Sequence, residues 1–481
     1  MRILFVLLSV LVVSKLCAQT SKLTVSEKIR LVESSLLPAI VMEGETIPYM
    51  SITDRMKQLD VSGLGLAIIK DGRIEWAKSY GIADRQSGRA VNEHTLFQAA
   101  SVSKPVTALA VLHWVEKGKF ELDTDINHYL KNWKVPENEF TKTEKVTLRR
   151  LLSHEAGITV HGFRGYSVSD SVPTLSQVLR GEKPANSRPI VPDTIPGSIF
   201  RYSGGGYTII QQALTDQLGK AFPDIMQETV FDRIGMKNST FGQPVPAKFR
   251  SNAATGYRAN GKEIDGNWHT YPELAAAGLW TTPTDLARYV IEIQQSLKGK
   301  SNRIISRETA STMVTNPSHP YGLGPMLISQ DDSLVFIHGG SNEGFRCIYI
   351  AEATTGNGAV IMTNSDNDFT LIYDIVRSIA KVYNWFFYKS GKISRFDLNN
   401  DQLARLTGTY NMPGYTFELV QNNGLLHLKP HWEKPVMELL PKSLTQFTDR
   451  DGRYDVEFVY DNSGKVKAAK VFGDTFEKTD Q

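Results

Sequence analysis

Cysteine is nearly absent from this chain of 481 residues, which contains only two. Cys17 falls in a predicted leader, so Cys347 would remain alone and no intramolecular disulfide could form. Because Cys347 lies within a strand-like apolar run, we predict a core side chain and not a nucleophile. An exported protein of this kind has to rely on its hydrophobic core, and 41% of the residues are hydrophobic.

The chain also lacks a large excess of charge of either sign. The formal net charge is +3, from 54 basic and 51 acidic residues. So close a balance gives no argument for binding to nucleic acid or to a membrane surface. We therefore predict a small-molecule or peptide substrate and no nucleic-acid partner.

Metal-binding motifs are missing as well. His154 and Glu155 do not extend to a His-Glu-x-x-His zinc motif, and the other histidines are scattered. Asp123 and Asp125 resemble a helix-capping loop, since no oxygen-rich calcium loop surrounds them. The sequence therefore predicts no metal and no other cofactor. It also lacks Gly-x-Ser-x-Gly, the nucleophile motif of α/β-hydrolases.

The one long apolar run lies at the amino terminus. Arg2 precedes an apolar stretch over 3–13, and Leu16-Cys17-Ala18 offers a small residue for cleavage. Lys15 interrupts the run well short of the roughly 20 apolar residues that span a bilayer. We predict that 1–18 is a cleaved signal peptide, that the protein is exported, and that the mature chain has no integral membrane segment. An uncleaved anchor and a lipoprotein modified at Cys17 are the alternatives.

Local patterns predict the first elements. A capping box at Thr24–Glu27 predicts a helix that ends near Pro38. Strand-like runs at 64–69 and 74–80 flank Asp71-Gly72, a turn typical of a β-hairpin.

From Ser101 the pattern becomes helical, with an apolar face that stops at Lys117-Gly118. Helices and long loops fill the middle of the chain. Strand character then returns at 334–337, 345–350 and 359–363, and a helix is predicted at 369–383. This order predicts an α+β domain whose sheet is assembled from both ends of the segment.

The carboxy-terminal part has a different pattern of apolar residues and turns. Short alternating apolar runs are separated by the hairpin turns Asn423-Gly424, Asp451-Gly452 and Ser463-Gly464. We predict a small antiparallel β domain over 396–481, preceded by the larger domain over 19–390.

Ser101-x-x-Lys104 lies where strand-like sequence gives way to a helix. A serine hydroxyl is a poor nucleophile until a nearby base takes its proton. Residues three apart share a helix face, so the Lys104 amine can reach the Ser101 oxygen if burial or a nearby cation keeps the amine neutral. The tetrapeptide is common by chance, so this motif alone is weak.

Two downstream segments strengthen it. Tyr202 stands in a turn of small residues, where its phenol could serve as a proton shuttle or as a phenolate base. His338-Gly339-Gly340 closes an apolar run, and a ligand backbone could pair along such an edge while free amides hold an oxyanion. The competing interpretations are a packed tyrosine in a glycine turn and a strand that simply ends.

Ser101-x-x-Lys104, Tyr202-Ser203-Gly204 and His338-Gly339-Gly340, in this order, resemble the three motifs of the serine β-lactamase and penicillin-binding protein superfamily, and in particular the class C β-lactamase-related hydrolases. The similarity covers about 50–385, and connecting segments agree with it, such as that at 151–158. It implies an antiparallel sheet flanked by helices, plus a helical subdomain. The segment 406–410 resembles a β domain often appended to such hydrolases.

The resemblance also implies roles. Ser101 would be the nucleophile and Lys104 its base, and Tyr202 would relay a proton to the leaving group and then to the deacylating water. His338 would shape the electrostatics near Tyr202. The backbone amides of Ser101 and Ser341 would form the oxyanion hole, beside Gly339 and Gly340.

One position departs from the family pattern. Where many relatives carry an asparagine that contacts the substrate amide and the lysine, this chain has Gly204. A site that loses such a donor discriminates less strongly for amides, so efficient β-lactam hydrolysis is less expected. A serine hydrolase acting on an amide or ester is the main prediction. The alternatives are a true β-lactamase or D-Ala-D-Ala carboxypeptidase, and an inactive binding protein of the same fold.

Overall fold

The computed structural model describes residues 23–479, apart from positions 48, 317–318, 331–332, 368 and 433–435. The predicted leader at 1–18 lies outside the described residues. Within the described ranges, no helix is both long enough and apolar enough to cross a bilayer.

The strands, in chain order, are β1 Ile40–Met42, β2 Gly63–Lys70, β3 Arg73–Asp84, β4 Arg89–Ala90, β5 Phe97–Gln98, β6 Trp280–Thr281, β7 Met326–Gln330, β8 Ser333–Asn342, β9 Phe345–Glu352, β10 Gly358–Thr363, β11 Gly391–Ile393, β12 Gly408–Met412, β13 Tyr415–Asn422, β14 Leu425–Pro430, β15 Met437–Pro441, β16 Gln446–Asp449, β17 Asp455–Tyr460, β18 Val466–Val471 and β19 Asp474–Thr479.

The α-helices are α1 Val25–Ser34, α2 Ile52–Gln58, α3 Ser103–Glu116, α4 Leu148–Leu152, α5 Leu175–Arg180, α6 Gly204–Leu218, α7 Phe222–Met226, α8 Asp232–Ile234, α9 Ala247–Arg250, α10 Leu274–Ala277, α11 Pro283–Leu297, α12 Arg307–Met313, α13 Thr370–Val382 and α14 Asn400–Leu406. Two predicted caps are confirmed. Thr24 and Glu27 form the capping box of α1, and Asp125 caps a short 3-10 turn at Ile126–His128.

The central sheet has seven antiparallel strands in the order β4-β3-β2-β10-β9-β8-β7. The β2–β3 hairpin comes from the amino-terminal side and the other four long strands from the carboxy-terminal side. The two groups meet where β2 pairs with β10, with Leu66 opposite Ile361. The prediction that the sheet is assembled from both ends is confirmed.

Both faces of this sheet are covered, which explains why β2 is apolar without alternation. Along β10, Ala359 and Ile361 pack with α1 and α13 on one face. Val360 and Met362 belong to the other core, which includes α3, α6 and α11. Cys347 is fully buried in that second core, as predicted.

Helix α3 differs from its prediction. The sequence indicated a single apolar face, but every residue from Ser103 to His113 is buried. The sheet covers one side of α3 and the helices of the chain's middle cover the other, so its polar residues are enclosed as well. Lys104 is among them.

Strands β12–β19 form a closed antiparallel barrel, sealed by pairing of β12 with β19. Its interior is filled by large side chains, as expected for eight strands; these include Tyr410, Phe417, Leu426, Phe447, Phe458 and Phe476. Helix α14 closes one end with Leu403 and Leu406, and the Tyr410 hydroxyl donates to the Leu406 carbonyl (2.8 Å).

The barrel docks on the amino-terminal segment through two arginines. Arg450 makes a bidentate ion pair with Glu45 (2.9 and 2.8 Å), and its carbonyl accepts the Ile40 amide (3.0 Å). Arg55 bridges Asp374 of α13 (2.9 Å) and Asp451 of the β16–β17 turn (2.8 Å). Because these ion pairs are largely buried, they tie the barrel to the sheet domain.

We expect Arg55→Ala to lower the free energy of unfolding by about 3 kcal/mol, since it leaves buried Asp374 with only Arg377 beside it. The matched control is Arg395→Ala, which removes an exposed pair with Asp397 and should cost under about 1 kcal/mol. Urea unfolding followed by tryptophan fluorescence measures both. Equal losses in the two variants would contradict a buried tie.

Candidate active site

Ser101 lies in a 3-10 turn, Ala100–Val102, that leads directly into α3. Ala100 has a left-handed backbone (φ +49°), which an alanine rarely adopts. The turn is held by Ser103, whose hydroxyl donates to the Ala100 carbonyl (2.6 Å) and accepts the Leu279 amide (3.0 Å). The position of Ser101 is thus fixed from two segments of the chain.

The first turn of α3 brings the Lys104 side chain next to that of Ser101. Its Nζ lies 3.1 Å from Ser101 Oγ and 2.9 Å from the Ala276 carbonyl oxygen, so both hydrogen-bond partners are uncharged. The side chain is 1% exposed. Burial lowers the pKa of Lys104 to about 7, so the neutral amine is accessible near neutral pH.

Tyr202 stands just before α6, with its phenol beside the Ser101 side chain. The ammonium of Lys104 lies 4.9 Å from the centre of its ring. Burial raises the pKa of Tyr202 above its ordinary value, so the phenol stays protonated at neutral pH. Of the two roles left open by the sequence, this environment favours proton shuttling over a phenolate base.

His154 is a residue of the site that the sequence reasoning missed. Its ring packs 4.2 Å from that of Tyr202, and its Nδ1 accepts the Ser203 amide (3.1 Å). The His154 carbonyl also accepts the Arg201 amide (2.8 Å). His154 therefore fixes the tyrosine turn from both sides. The segment 151–158 resembles the family, but the packing of His154 against Tyr202 is a long-range contact that the local sequence does not predict.

His338 lies on β8, which continues to Asn342 and does not end at 337. Pairing of β7 with β8 stops at Met326–Ile337, so β8 beyond that point is paired only with β9. His338 Nδ1 donates to the Gly339 carbonyl (2.7 Å), which leaves Nε2 unprotonated. Burial, with a smaller contribution from the charge of Lys104, lowers the pKa of His338 to about 3. The ring is therefore neutral, 6.2 Å from that of Tyr202.

Gly340 is where β8 meets the nucleophile turn. A Cβ at Gly340 would stand 2.1 Å from the Ala99 carbonyl oxygen, whereas one at Gly339 would meet only the Phe369 ring at 3.7 Å. Ser341 follows on the exposed side. Asn342 then ties β8 to β5, because its Nδ2 donates to Gln98 Oε1 (2.7 Å), another contact that the sequence did not predict.

Gly204 is the first residue of α6, whose cap is Ser203. Its amide donates to the His161 carbonyl (2.9 Å). A Cβ at Gly204 would lie 3.0 Å from Cε2 of Phe163 and 3.1 Å from the His161 carbonyl oxygen. The space beside Gly204 is therefore taken by an aromatic ring.

The structure thus joins Ser101 and Lys104 by a hydrogen bond, places Tyr202 beside both, and brings His338 and Gly340 close to them. Gly339 and Ser341 flank Gly340 on β8, and Gly204 lies two residues after Tyr202. Among the described residues, no group of three or more His, Cys, Asp or Glu side chains is arranged to hold a metal ion.

Comparisons with known proteins find a similar family, similar sequences and similar folds. A family model described as "Beta-lactamase" matches residues 51–380. The chain is 28% identical to a "Beta-lactamase" of Pseudomonas fluorescens over 49% of its length and 60% of that protein. It is 23% identical to "Protein flp" of Staphylococcus aureus (strain MW2) over 64% of its length and 61% of that protein.

It is also 26% identical to "Penicillin-binding protein 4" of Amycolatopsis lactamdurans, over 53% of this chain and 65% of that one. The chain therefore spans less than two thirds of the length of these curated relatives. Among solved structures, the octameric penicillin-binding protein homologue from Pyrococcus abyssi superposes with a TM-score of 0.59 at 19% identity, covering 88% of this chain and 97% of the other. SurE gives 0.55 at 21% identity, covering 89% and 97%. These two similarities establish the fold.

We expect Gly340→Ala to lower the free energy of unfolding by about 2 kcal/mol, because its methyl group would overlap the Ala99 carbonyl and force β8 outward. Gly339→Ala, one residue away in the same strand, should change it by less than about 0.5 kcal/mol. Chemical denaturation measures both. A similar effect of the two alanines would show that β8 does not press on the nucleophile turn.

Proposed function

The chain belongs to the beta-lactamase family of serine hydrolases, which act through an acyl-enzyme, and on that premise we propose that Ser101 is the nucleophile of an exported enzyme that cleaves an amide or ester bond. The observation that carries the proposal is the 3.1 Å contact between Ser101 Oγ and Nζ of Lys104, an amine whose pKa burial lowers to about 7.

In the first half of the cycle, neutral Lys104 takes the Ser101 proton as Oγ attacks the carbonyl carbon. The electron pair of the carbonyl moves to its oxygen. The backbone amides of Ser101 and Ser341 hold that oxyanion, close to the amino terminus of α3. The exposed side of β8 beyond Ile337 offers an edge along which the substrate backbone pairs.

Collapse of the tetrahedral intermediate breaks the bond to the leaving group. The Tyr202 hydroxyl delivers the proton to that group and is reprotonated from Lys104, leaving the acyl chain on Ser101. The same pair then draws a proton from water as the water attacks the ester. Release of the acid returns the proton to Ser101. His338 lies beside this path as a neutral ring and adds no charge of its own.

A true β-lactamase or D-Ala-D-Ala carboxypeptidase is the second candidate, favoured by the names of the relatives. Against it, Gly204 offers no side-chain donor to a substrate amide, and neutral His338 offers no cation to a substrate carboxylate. A binding protein without activity would not require the hydrogen bond that joins Ser101 to Lys104, with Tyr202 beside them.

We also propose the chain's organisation and location. The leader would comprise 1–18, the hydrolase domain 19–390 and the barrel domain 396–481. Export follows from that leader. The substrate is a small molecule or peptide, and the near balance of charge gives no support to a nucleic-acid partner.

A fluorescent fluorophosphonate should label the folded protein, and Ser101→Ala should abolish the label, because the probe forms its bond with the activated oxygen. Ser87→Ala, at an exposed turn, is the matched control and should label normally. A fluorescent penicillin should label far more slowly. No label from either reagent in folded wild-type protein would refute the proposal.

The rate of labelling should rise about tenfold per pH unit below pH 7 and level off above it. Protonated Lys104 cannot accept the Ser101 proton, and its pKa is about 7. Lys104→Arg should label slowly at every pH, since a guanidinium stays charged. Circular dichroism across the same range controls for unfolding. A wild-type rate that is flat from about pH 5.5 to 8.5 would exclude Lys104 as the base.

A further inference from the structure

Aromatic side chains pack around Tyr202. Phe200 stacks on Tyr321 with ring centres 5.2 Å apart, and the Tyr321 ring lies 6.0 Å from that of Tyr202. Phe200 is 39% exposed, and Ile199 on the same loop is 49% exposed. Large apolar side chains exposed next to a nucleophile mark a surface that gains free energy when a ligand covers it.

Phe163 extends this surface on the far side of the tyrosine turn. Its ring edge fills the space in front of Gly204, 3.0 Å from where a Cβ would stand. His161, two residues before Phe163, is held at the same turn. Its carbonyl accepts the Gly204 amide, and its ring lies 4.9 Å from that of Tyr202. We call Phe163, Phe200 and Tyr321 the aromatic wall.

The histidines that pack next to Phe200, Tyr202 and Tyr321 offer no free charge to a ligand. Burial lowers the pKa values of His154 and His338, so both rings are neutral. His319, which packs on Phe200, forms an ion pair with Glu155 (2.9 Å). A substrate carboxylate placed against Phe200 and Tyr321 would lose its hydration without gaining a cation from these histidines, which is costly.

We infer that the substrate is an ester or amide with an apolar acyl group that lies against the aromatic wall, and that Phe163 sets this preference. The inference rests on the proposed function, because it concerns the acyl group transferred to Ser101. It makes Phe163 a specificity-determining residue: the ring supplies apolar contact and at the same time excludes a side-chain amide at Gly204.

The first test compares p-nitrophenyl esters that share one leaving group. The butyrate and the hemisuccinate are similar in length, but only the second carries a carboxylate. We expect kcat/KM for the butyrate to be at least tenfold higher. From acetate to octanoate, kcat/KM should rise by roughly fourfold for each methylene that leaves water.

The second test changes Phe163. Phe163→Ala should lower the octanoate-to-acetate ratio at least tenfold, and Phe163→Gln, which keeps the length but is polar, should lower it as well. Phe163→Leu should keep most of the ratio. Phe472→Ala, which removes an exposed aromatic ring of the barrel, is the control and should leave the ratio unchanged.

The third test combines Phe163 with Gly204. Gly204→Asn alone would press on the Phe163 ring, whereas Phe163→Ala makes room for the new amide. We expect the double variant to acylate with the fluorescent penicillin at least tenfold faster than the product of the two single effects. Additive effects would show that the two positions do not share the space, and would overturn the role of Phe163.

Failure of the inference can be told apart from failure of the proposed function. Ester hydrolysis and phosphonate labelling that persist in Ser101→Ala would overturn both. Hydrolysis that depends on Ser101, but with equal kcat/KM for butyrate and hemisuccinate or an unchanged octanoate-to-acetate ratio in Phe163→Ala, would overturn the inference alone. Circular dichroism of each variant confirms that folded protein is compared.

Discussion

Burial of the Lys104 amine is the constraint on which the rest of the site depends. Removing an ammonium from water costs several kcal/mol unless it is paired, and here Nζ meets only the Ser101 hydroxyl and the Ala276 carbonyl. The fold meets this cost by letting the amine be neutral, with a pKa of about 7. For that, α3 has to lie in the core over its first turns, enclosed by the sheet on one side and by the helices on the other. The burial of every residue from Ser103 to His113 meets this requirement.

Three strained backbone positions lie near the same amine. Ala100, His154 and Val160 have φ values of +49°, +63° and +66°, each unusual for a residue with a side chain. A residue held in such a region costs on the order of 1–3 kcal/mol and persists only where its surroundings fix it. Here they do: the Ala100 carbonyl is held by Ser103, the His154 carbonyl accepts Arg201, and the Val160 carbonyl accepts Gly205 (3.0 Å). All three sites adjoin Ser101 or Tyr202, so the strain is part of how these side chains are presented.

The sequence was a good guide wherever local chemistry decides the outcome. The capping box at Thr24, the Asp71-Gly72 hairpin and the order of strands around the helical insert all predicted elements that are present. It was a poor guide to contacts between distant segments. His154 packs on Tyr202 and Phe163 on Gly204 across about 40 residues of chain, and nothing in their neighbours' periodicity signals it. Closure of the barrel likewise depends on β12 meeting β19, a pairing between the two ends of that segment.

The shared burial of three basic groups has an electrostatic consequence. The charge of Lys104 lowers the pKa values of His154 and His338, beyond the larger effect of burial, so one protonated group disfavours the others. The site therefore has no fixed cation with which to stabilise an oxyanion. In the proposed mechanism backbone amides supply that stabilisation, and amides act only at hydrogen-bonding distance. That distance requires β8 to lie directly on the nucleophile turn, an approach that only a residue without a Cβ permits at Gly340. In that mechanism a neutral Lys104 leaves the oxyanion to the backbone amides, and Gly340 allows β8 to bring an amide close enough.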